Sequence, residues 1–532
     1  MAPEQAVLKT ANSMERIDEV TLVHAARTPS APCISFEGRH WRYDEVDALV
    51  DTLSAGLARA GIRPGHRVAV LSTPRPEYLL CLLAISRAGG VYVGVNPRYT
   101  AAEVARLVVS VRPQLIISLR EFEGRSFGEL FEQAEALADL PPIVHFDGVD
   151  ACVAAIDSLP IKPVDPSTAD DVDNAGRDQM LRCAAIVFTS GTTGRPKAAM
   201  LTHEGLLLAA AVQHERLNPP QPRYLCNLPI NHVGCLMNLT LGALVAGGSV
   251  VFQERFAPEQ TLRLIADEKV TCWLQVPAMF HECVQHIRFT PRLLGHLRSI
   301  CVGGGAPSLS TIKRLRSIGA RVFVEYGQTE TSSSATYSDD GADDQVLSRC
   351  IGRFDPRFKF RIADGTGRTS AIGDVGEIQG TGPLIFSGYF GDPDATRAAF
   401  TEDGWLRTGD LATARADGNI ELKGRLKEMI KSGGYNVYPR EVEMALEDHP
   451  AVSQVVVLGL PDERFGETVH AALVVRGSAP ARADLESYCR RTLANYKVPK
   501  SFRLMGSFPL LPNGKVDRVR TRELAALLDP MS

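Results

Sequence analysis

The stretch Val187-Phe188-Thr189-Ser190-Gly191-Thr192-Thr193-Gly194-Arg195-Pro196-Lys197 decides the reading of this chain. Residues 184–188 form an apolar run that predicts a buried strand, and it empties into hydroxyls and glycines closed by Pro196 and Lys197. Glycines let a backbone curl until several N–H groups face one anion. Hydroxyls add donors, and a lysine adds a mobile positive charge. The string reads as a phosphate-gripping loop for a nucleotide triphosphate. It is not a Walker A loop, because Arg195 and Pro196 separate Gly194 from Lys197. A plain polar turn would explain an isolated Gly/Thr cluster, but not this ordered string.

Composition narrows the rest. A chain of 532 residues is too long for one core and implies several domains or subdomains. Hydrophobic residues at 45% and charged residues at 23% describe a soluble globular protein. A net charge of -4 leaves no basic footprint for nucleic acid. Eleven cysteines without a C-x-x-C pair point to reduced thiols in the cytoplasm and no zinc site. Residues 1–20 lack the apolar segment of a signal peptide, and the longest apolar stretch, 236–248, is too short for a transmembrane span. A homodimer is compatible with all of this.

Strand and helix patterns alternate: strands at 67–72, 91–95 and 114–119, helices at 77–88 and 101–111, and a polar loop at 158–178. Repeated βαβ units predict an α/β fold of mainly parallel sheets covered by helices. A second region begins near Gly424. Its strands at 455–460 and 469–475 and its helix at 483–493 predict a small α+β domain.

Three further strings offer ligand chemistry. Gly303-Gly304-Gly305-Ala306-Pro307 follows an apolar strand and lets a flat ligand approach the backbone, although a tight turn alone would need the same glycines. Glu325-Tyr326-Gly327-Gln328-Thr329-Glu330 ends another strand, where α/β sheets bind ligands. Tyr326 can stack on a purine, Thr329 can bond a phosphate, and Glu330 is a hard oxygen ligand suited to Mg2+, while a capped helix start is the competing reading. Asp410 and Arg425 supply a carboxylate for ribose hydroxyls and a guanidinium clamp.

Together these strings resemble, in order, the motifs of the adenylate-forming superfamily, and the resemblance runs from about residue 30 to 520. The string Ser432-Gly433-Gly434-Tyr435-Asn436-Val437-Tyr438-Pro439-Arg440-Glu441 is similar to the acyl-CoA synthetase branch. The resemblance implies an N-terminal domain over 1–424 and a mobile C-terminal lid over 425–532, hinged at Lys427. It implies ATP contacts from Thr189, Ser190, Gly191, Thr192, Thr193, Gly194, Lys197, Gly305, Ala306, Pro307, Glu325, Tyr326, Gly327, Gln328, Thr329, Asp410, Arg425, Lys431, Asn436 and Lys515. Lys515, Thr329, Glu330 and His232 match catalytic positions, with Glu330 the metal ligand. Gly433 and Gly434 match the path of coenzyme A. The acyl pocket falls on His232, Val233, Gly234, Met237, Gly303, Gly304, Gly327 and Ser332.

Two departures stand out. Ala198 replaces a usual glycine after Lys197, and the segment 227–234 lacks the aspartate with which amino-acid adenylation domains hold an ammonium. The implied reaction is an ATP-dependent carboxylate–CoA ligation through an acyl-AMP, with ATP, Mg2+ and coenzyme A taking part. Acyl delivery to a carrier protein or an amine, and a non-catalytic relative, are the alternatives. The pocket segments are small or apolar and are read as free of carboxylates. That predicts a hydrophobic medium- or long-chain, cyclic or aryl acid rather than malonate or an amino acid.

Overall fold

In the computed structural model the strand expected from the signature string spans Cys183–Thr189 and turns back as an antiparallel partner, Lys197–Thr202. The structure describes residues 7, 10, 11, 13–160, 174–189, 196–219, 221–432, 435–510 and 516–531. The predicted βαβ elements are present: strands Arg67–Leu71, Val91–Val95 and Leu115–Leu119, with helices Pro76–Arg87 and Ala101–Val111 between them. Thr100 starts the second helix by accepting from Glu103 N–H while the Glu103 carboxylate reaches back to Thr100, which satisfies backbone donors a helix start leaves over. Helix Asn174–Arg182 begins inside the expected 158–178 loop, because Met180 finds a buried seat in the core.

Among the described residues these strands join a six-stranded sheet in the order Lys197–Thr202, Cys183–Thr189, Val91–Val95, Arg67–Leu71, Leu115–Leu119, Ile143–Phe146. A nine-stranded sheet stands beside it. Its parallel centre includes Arg223–Cys226, Cys272–Gln275, Ser299–Val302 and Arg321–Gln328. Alternation along these strands splits the core. Tyr224, Cys272, Cys301 and Phe323 face the main cluster, whereas Leu225, Trp273, Ile300 and Val324 face a second. The apolar stretch at 236–248 is no membrane span: it runs through the end of a π-helix, Gly234–Leu241, and a short helical turn, Gly242–Leu244, packed into the main core. No helix among the described residues is long and apolar enough to cross a membrane.

A four-stranded antiparallel sheet follows, ending in Leu406–Ala414 and Ile420–Arg425. Past Gly424 (φ 134°) and a short 3-10 turn, Leu426–Glu428, the chain builds another sheet around Val452–Asp462 and Gly466–Val475. That smaller α+β part has its own core, including Ile430, Val442, Leu473, Leu485 and Phe502. All eleven cysteines are buried and free of disulfides.

Candidate active site

Parallel strands deliver their C-terminal ends to one edge, and two of the predicted strings lie there. Val302 pairs with Val324, so residues 303–307 leave the sheet beside the last residues of strand Arg321–Gln328, and Thr329 and Glu330 follow at its end. Gly304, Gly305 and Ala306 are exposed and Pro307 is buried.

Tyr326, Asp410 and Arg425 come together. The Tyr326 hydroxyl donates to Asp410 Oδ2 at 2.7 Å, and Arg425 Nε lies 3.0 Å from Asp410 Oδ1. Asp410 and Arg425 face each other across paired strands, which fixes the pair. Burial, then the Asp410 charge, hold the Tyr326 proton in place, and Asp410 strengthens the charge on Arg425.

A second cluster forms around Glu330. Its Oε1 accepts a 2.8 Å hydrogen bond from the Tyr389 hydroxyl, and Lys197 Nζ sits 4.7 Å from the centre of the Tyr389 ring. Burial, then the charges of Lys197 and Arg425, make Lys427 easier to deprotonate than a lysine in water. Three cations thus share one region with a carboxylate, an arrangement suited to a polyanion and a divalent ion. Sequence reasoning missed Tyr389. Backbone hydrogen bonds from Ser387 to Met200, from Met200 to Gly388 and from Phe390 to Ala198 stitch its segment to the Lys197 strand. Phe386 N–H also bonds the Glu330 carbonyl. The signal was Gly388-Tyr389, a glycine and a phenol between two phenylalanines.

Glu325 lies on the opposite face from Tyr326, as strand alternation requires. Its carboxyl accepts from Asn238 Nδ2 at 3.2 Å, and a Cβ on Gly303 would lie 2.5 Å from its Oε1. Gly303, one of the residues expected to line the acyl pocket, therefore has a carboxyl group beside it. It was overlooked because Glu325 shares a string with the nucleotide motif. Gly327 also has a backbone reason to be glycine: a Cβ there would run into the Ser333 carbonyl oxygen of the paired strand.

His232 and Gly234 are partly exposed at the start of the π-helix, and Val233 is nearly buried. Two expected pocket residues are placed otherwise. Met237 has no exposed surface and packs in the main core. Ser332 is fully buried, its Oγ against Gly205, since a left-handed turn (φ 50°) directs it towards that helix. Lys431 is exposed and its N–H donates to Glu467. Asn436, paired with it, lines a cleft of about 690 Å³ with Asp364, Glu377, Arg407 and Tyr438 instead of joining the Lys197–Glu330 cluster. The hairpin that carries it lies over the four-stranded sheet. Thr189, Thr329 and Gln328 are partly exposed, and Gln328 Nε2 is buried without a partner among the described residues. Ser190, Gly191, Thr192, Thr193, Gly194, Gly433, Gly434 and Lys515 lie outside the described residues.

Comparison with known proteins follows the same outline. Residues 22–390 match the AMP-binding enzyme family model, and residues 441–515 match that of the AMP-binding enzyme C-terminal domain. A feruloyl-CoA synthase from Amycolatopsis sp is 33% identical over 92% of this chain and 95% of its own length. An indoleacetate–CoA ligase from Aromatoleum aromaticum is 32% identical over 94% of this chain and 97% of its own. The crystal structure of ATP-bound MatB from Rhodopseudomonas palustris superposes with a TM-score of 0.84 at 27% identity, covering 96% of this chain and 98% of that one. The chain belongs to the AMP-binding enzyme family, in its acyl-CoA synthetase branch.

Proposed function

We propose that this protein is an AMP-forming carboxylate–CoA ligase acting on a ring-containing or otherwise bulky carboxylic acid in the cytoplasm. The observation that carries it is the convergence of Lys197, Arg425 and Lys427 with Glu330 at the open edge of the sheet. The relatives named for feruloyl and indoleacetyl thioesters support the aryl or cyclic class.

In the first step a carboxylate oxygen of the acid attacks the α-phosphorus of ATP, and pyrophosphate leaves with the bond to the β-phosphate. Positioning and electrostatics carry such chemistry, with no protein nucleophile. Lys197 and the 190–195 loop hold the departing phosphates, while Thr329 and Lys515 offset charge at the α-phosphate. Asp410 accepts from the ribose hydroxyls and Arg425 steadies it. Glu330, oriented by Tyr389, would hold Mg2+, a hard cation that takes oxygen ligands. The ion would neutralise phosphate charge there. In the second step the thiolate of coenzyme A attacks the acyl carbonyl carbon and AMP leaves. The lid, residues 425–532, turns about Lys427 between the steps, withdrawing Lys515 and bringing Gly433 and Gly434 to the pantetheine arm.

The test is AMP and pyrophosphate release across a panel of aryl, cyclic and aliphatic acids, with and without coenzyme A. Pyrophosphate exchange together with CoA-dependent thioester formation supports the reading. Exchange without any thioester would assign the acyl group to a carrier protein or an amine instead.

A further inference from the structure

Beside Gly303 the nine-stranded sheet carries a carboxylic acid at the border between dry core and open space. On the face turned to helix His203–Leu217 and the π-helix, Cys272, Cys301 and Phe323 are buried. One step further along the strands Gly303 and Glu325 are partly exposed, and Gly304 and Gly305 are open. The Glu325 carboxyl occupies the room that a side chain at position 303 would fill.

Its hydrogen bonding comes from neutral groups. Asn238 Nδ2 lies 3.2 and 3.4 Å from the two carboxyl oxygens, but that amide has two protons. Gln213 Oε1 at 2.6 Å and Ser334 Oγ at 3.2 Å compete for them. Ser333 Oγ holds Asn238 from the other side, so the amide cannot turn further towards Glu325. Burial pushes the Glu325 carboxyl up to about 7, and hydrogen bonding from Ser334 and Cys301, neither of them a cation, offsets only part of that. A carboxyl has about four acceptor directions, so one held by an amide, a hydroxyl and a thiol, with open space alongside, can take a further donor from a ligand.

We propose that Glu325, positioned by Asn238, is a specificity-determining contact of the acyl site that recognises a hydroxyl on the carboxylic acid substrate, remote from the reacting carboxylate. The proposal deepens the ligase reading and rests on it. A hydroxyl fits either protonation state, because it can donate to a carboxyl oxygen and can accept from a protonated one. A plain hydrocarbon would cover the carboxyl and shut out water without supplying a further donor. Sites built to bond a hydroxyl reject analogues lacking it far more strongly than apolar pockets reject an added one.

The test compares octanoate with its ω-hydroxy derivative and phenylpropanoate with its para-hydroxy derivative, reading kcat/KM for CoA-dependent AMP release. The wild type is expected to favour the hydroxylated member of at least one pair by about tenfold or more. Glu325→Gln keeps that preference within a few-fold, and Glu325→Met abolishes it. Gly303→Ala, whose methyl displaces the carboxyl, should collapse the ratio and decides the matter if Glu325→Met does not fold. A purely structural Glu325 would lower thermal stability in the variants without moving the ratio. No preference in the wild type, an unchanged ratio in Glu325→Met or Gly303→Ala, or an ω-amino acid outranking the ω-hydroxy acid overturns the proposal. If no acid at all yields AMP, the ligase reading falls too, and that failure is recognised by silence across every pair.

Discussion

The Tyr389 hydroxyl donates a 2.8 Å hydrogen bond to Glu330 Oε1, tying the segment that follows strand Val375–Thr381 to the carboxylate proposed to meet Mg2+. A hydrogen bond to a charged group is worth about 1.5–3 kcal/mol. Tyr389→Phe should therefore reduce kcat/KM for pyrophosphate exchange by about ten- to a hundredfold. It should also raise the Mg2+ concentration needed for half-maximal rate. An unchanged Mg2+ titration would separate Tyr389 from the metal.

Lys515→Ala should abolish adenylate formation by orders of magnitude, because a desolvated charge contact to a developing oxyanion is worth roughly 3–4 kcal/mol. Thioester formation from supplied acyl-adenylate should persist. Measuring both half-reactions on one preparation decides the role, and near-normal exchange would reassign the lysine.

Gly434→Leu should block coenzyme A capture and spare adenylation, as expected of a side chain placed in a narrow passage. If both half-reactions fall together, the glycine is needed for folding instead.

Gly327→Ala acts on the fold. Its methyl would meet the Ser333 carbonyl across the pair of strands Arg321–Gln328 and Ser333–Tyr337, and backbone cannot yield as a side-chain tip can. A loss of about 3 kcal/mol or more is expected, read as a shifted denaturant midpoint.

The Glu325 carboxyl gives a pH signature with a definite sign. Its folded value of about 7 stands above the ordinary 4.5, so the folded state binds the extra proton. The resulting penalty is absent below about pH 4.5, grows as pH rises, and is complete above about pH 7. Cys272, Cys301 and Tyr337, the titratable neighbours, are pushed up by burial and stay neutral through that window. Glu325→Gln should therefore raise Tm relative to wild type more at pH 8 than at pH 5. An equal difference at both pH values would contradict the burial argument.

Much of this architecture was legible in the sequence, for reasons visible at particular residues. Strand Val91–Val95 and helix Ala101–Val111 were readable because an apolar run and a capped amphipathic segment are local signals. Asp410 and Arg425 were readable because each stands in a short recognisable string, although only strand pairing shows that they touch. Tyr389 was not readable, since its partner Glu330 lies 59 positions away and its own segment has no regular period. Met237 was placed on a wall because its string borders the pocket, but the π-helix turns it into the core. Glu325 was assigned with its neighbours in sequence, whereas a pleated strand gives adjacent residues to opposite faces.

The burial of every cysteine turns the folded chain into a silent background for thiol chemistry. A thiol-reactive dye added during turnover would count coenzyme A as it is consumed, with no contribution from intact protein. The same dye without substrate becomes a gauge of opening: eleven equivalents of colour per chain mark complete unfolding. An early fraction would report which core loosens first, because Cys489 belongs to the core of the smaller α+β part and Cys81, Cys183 and Cys301 to the main one.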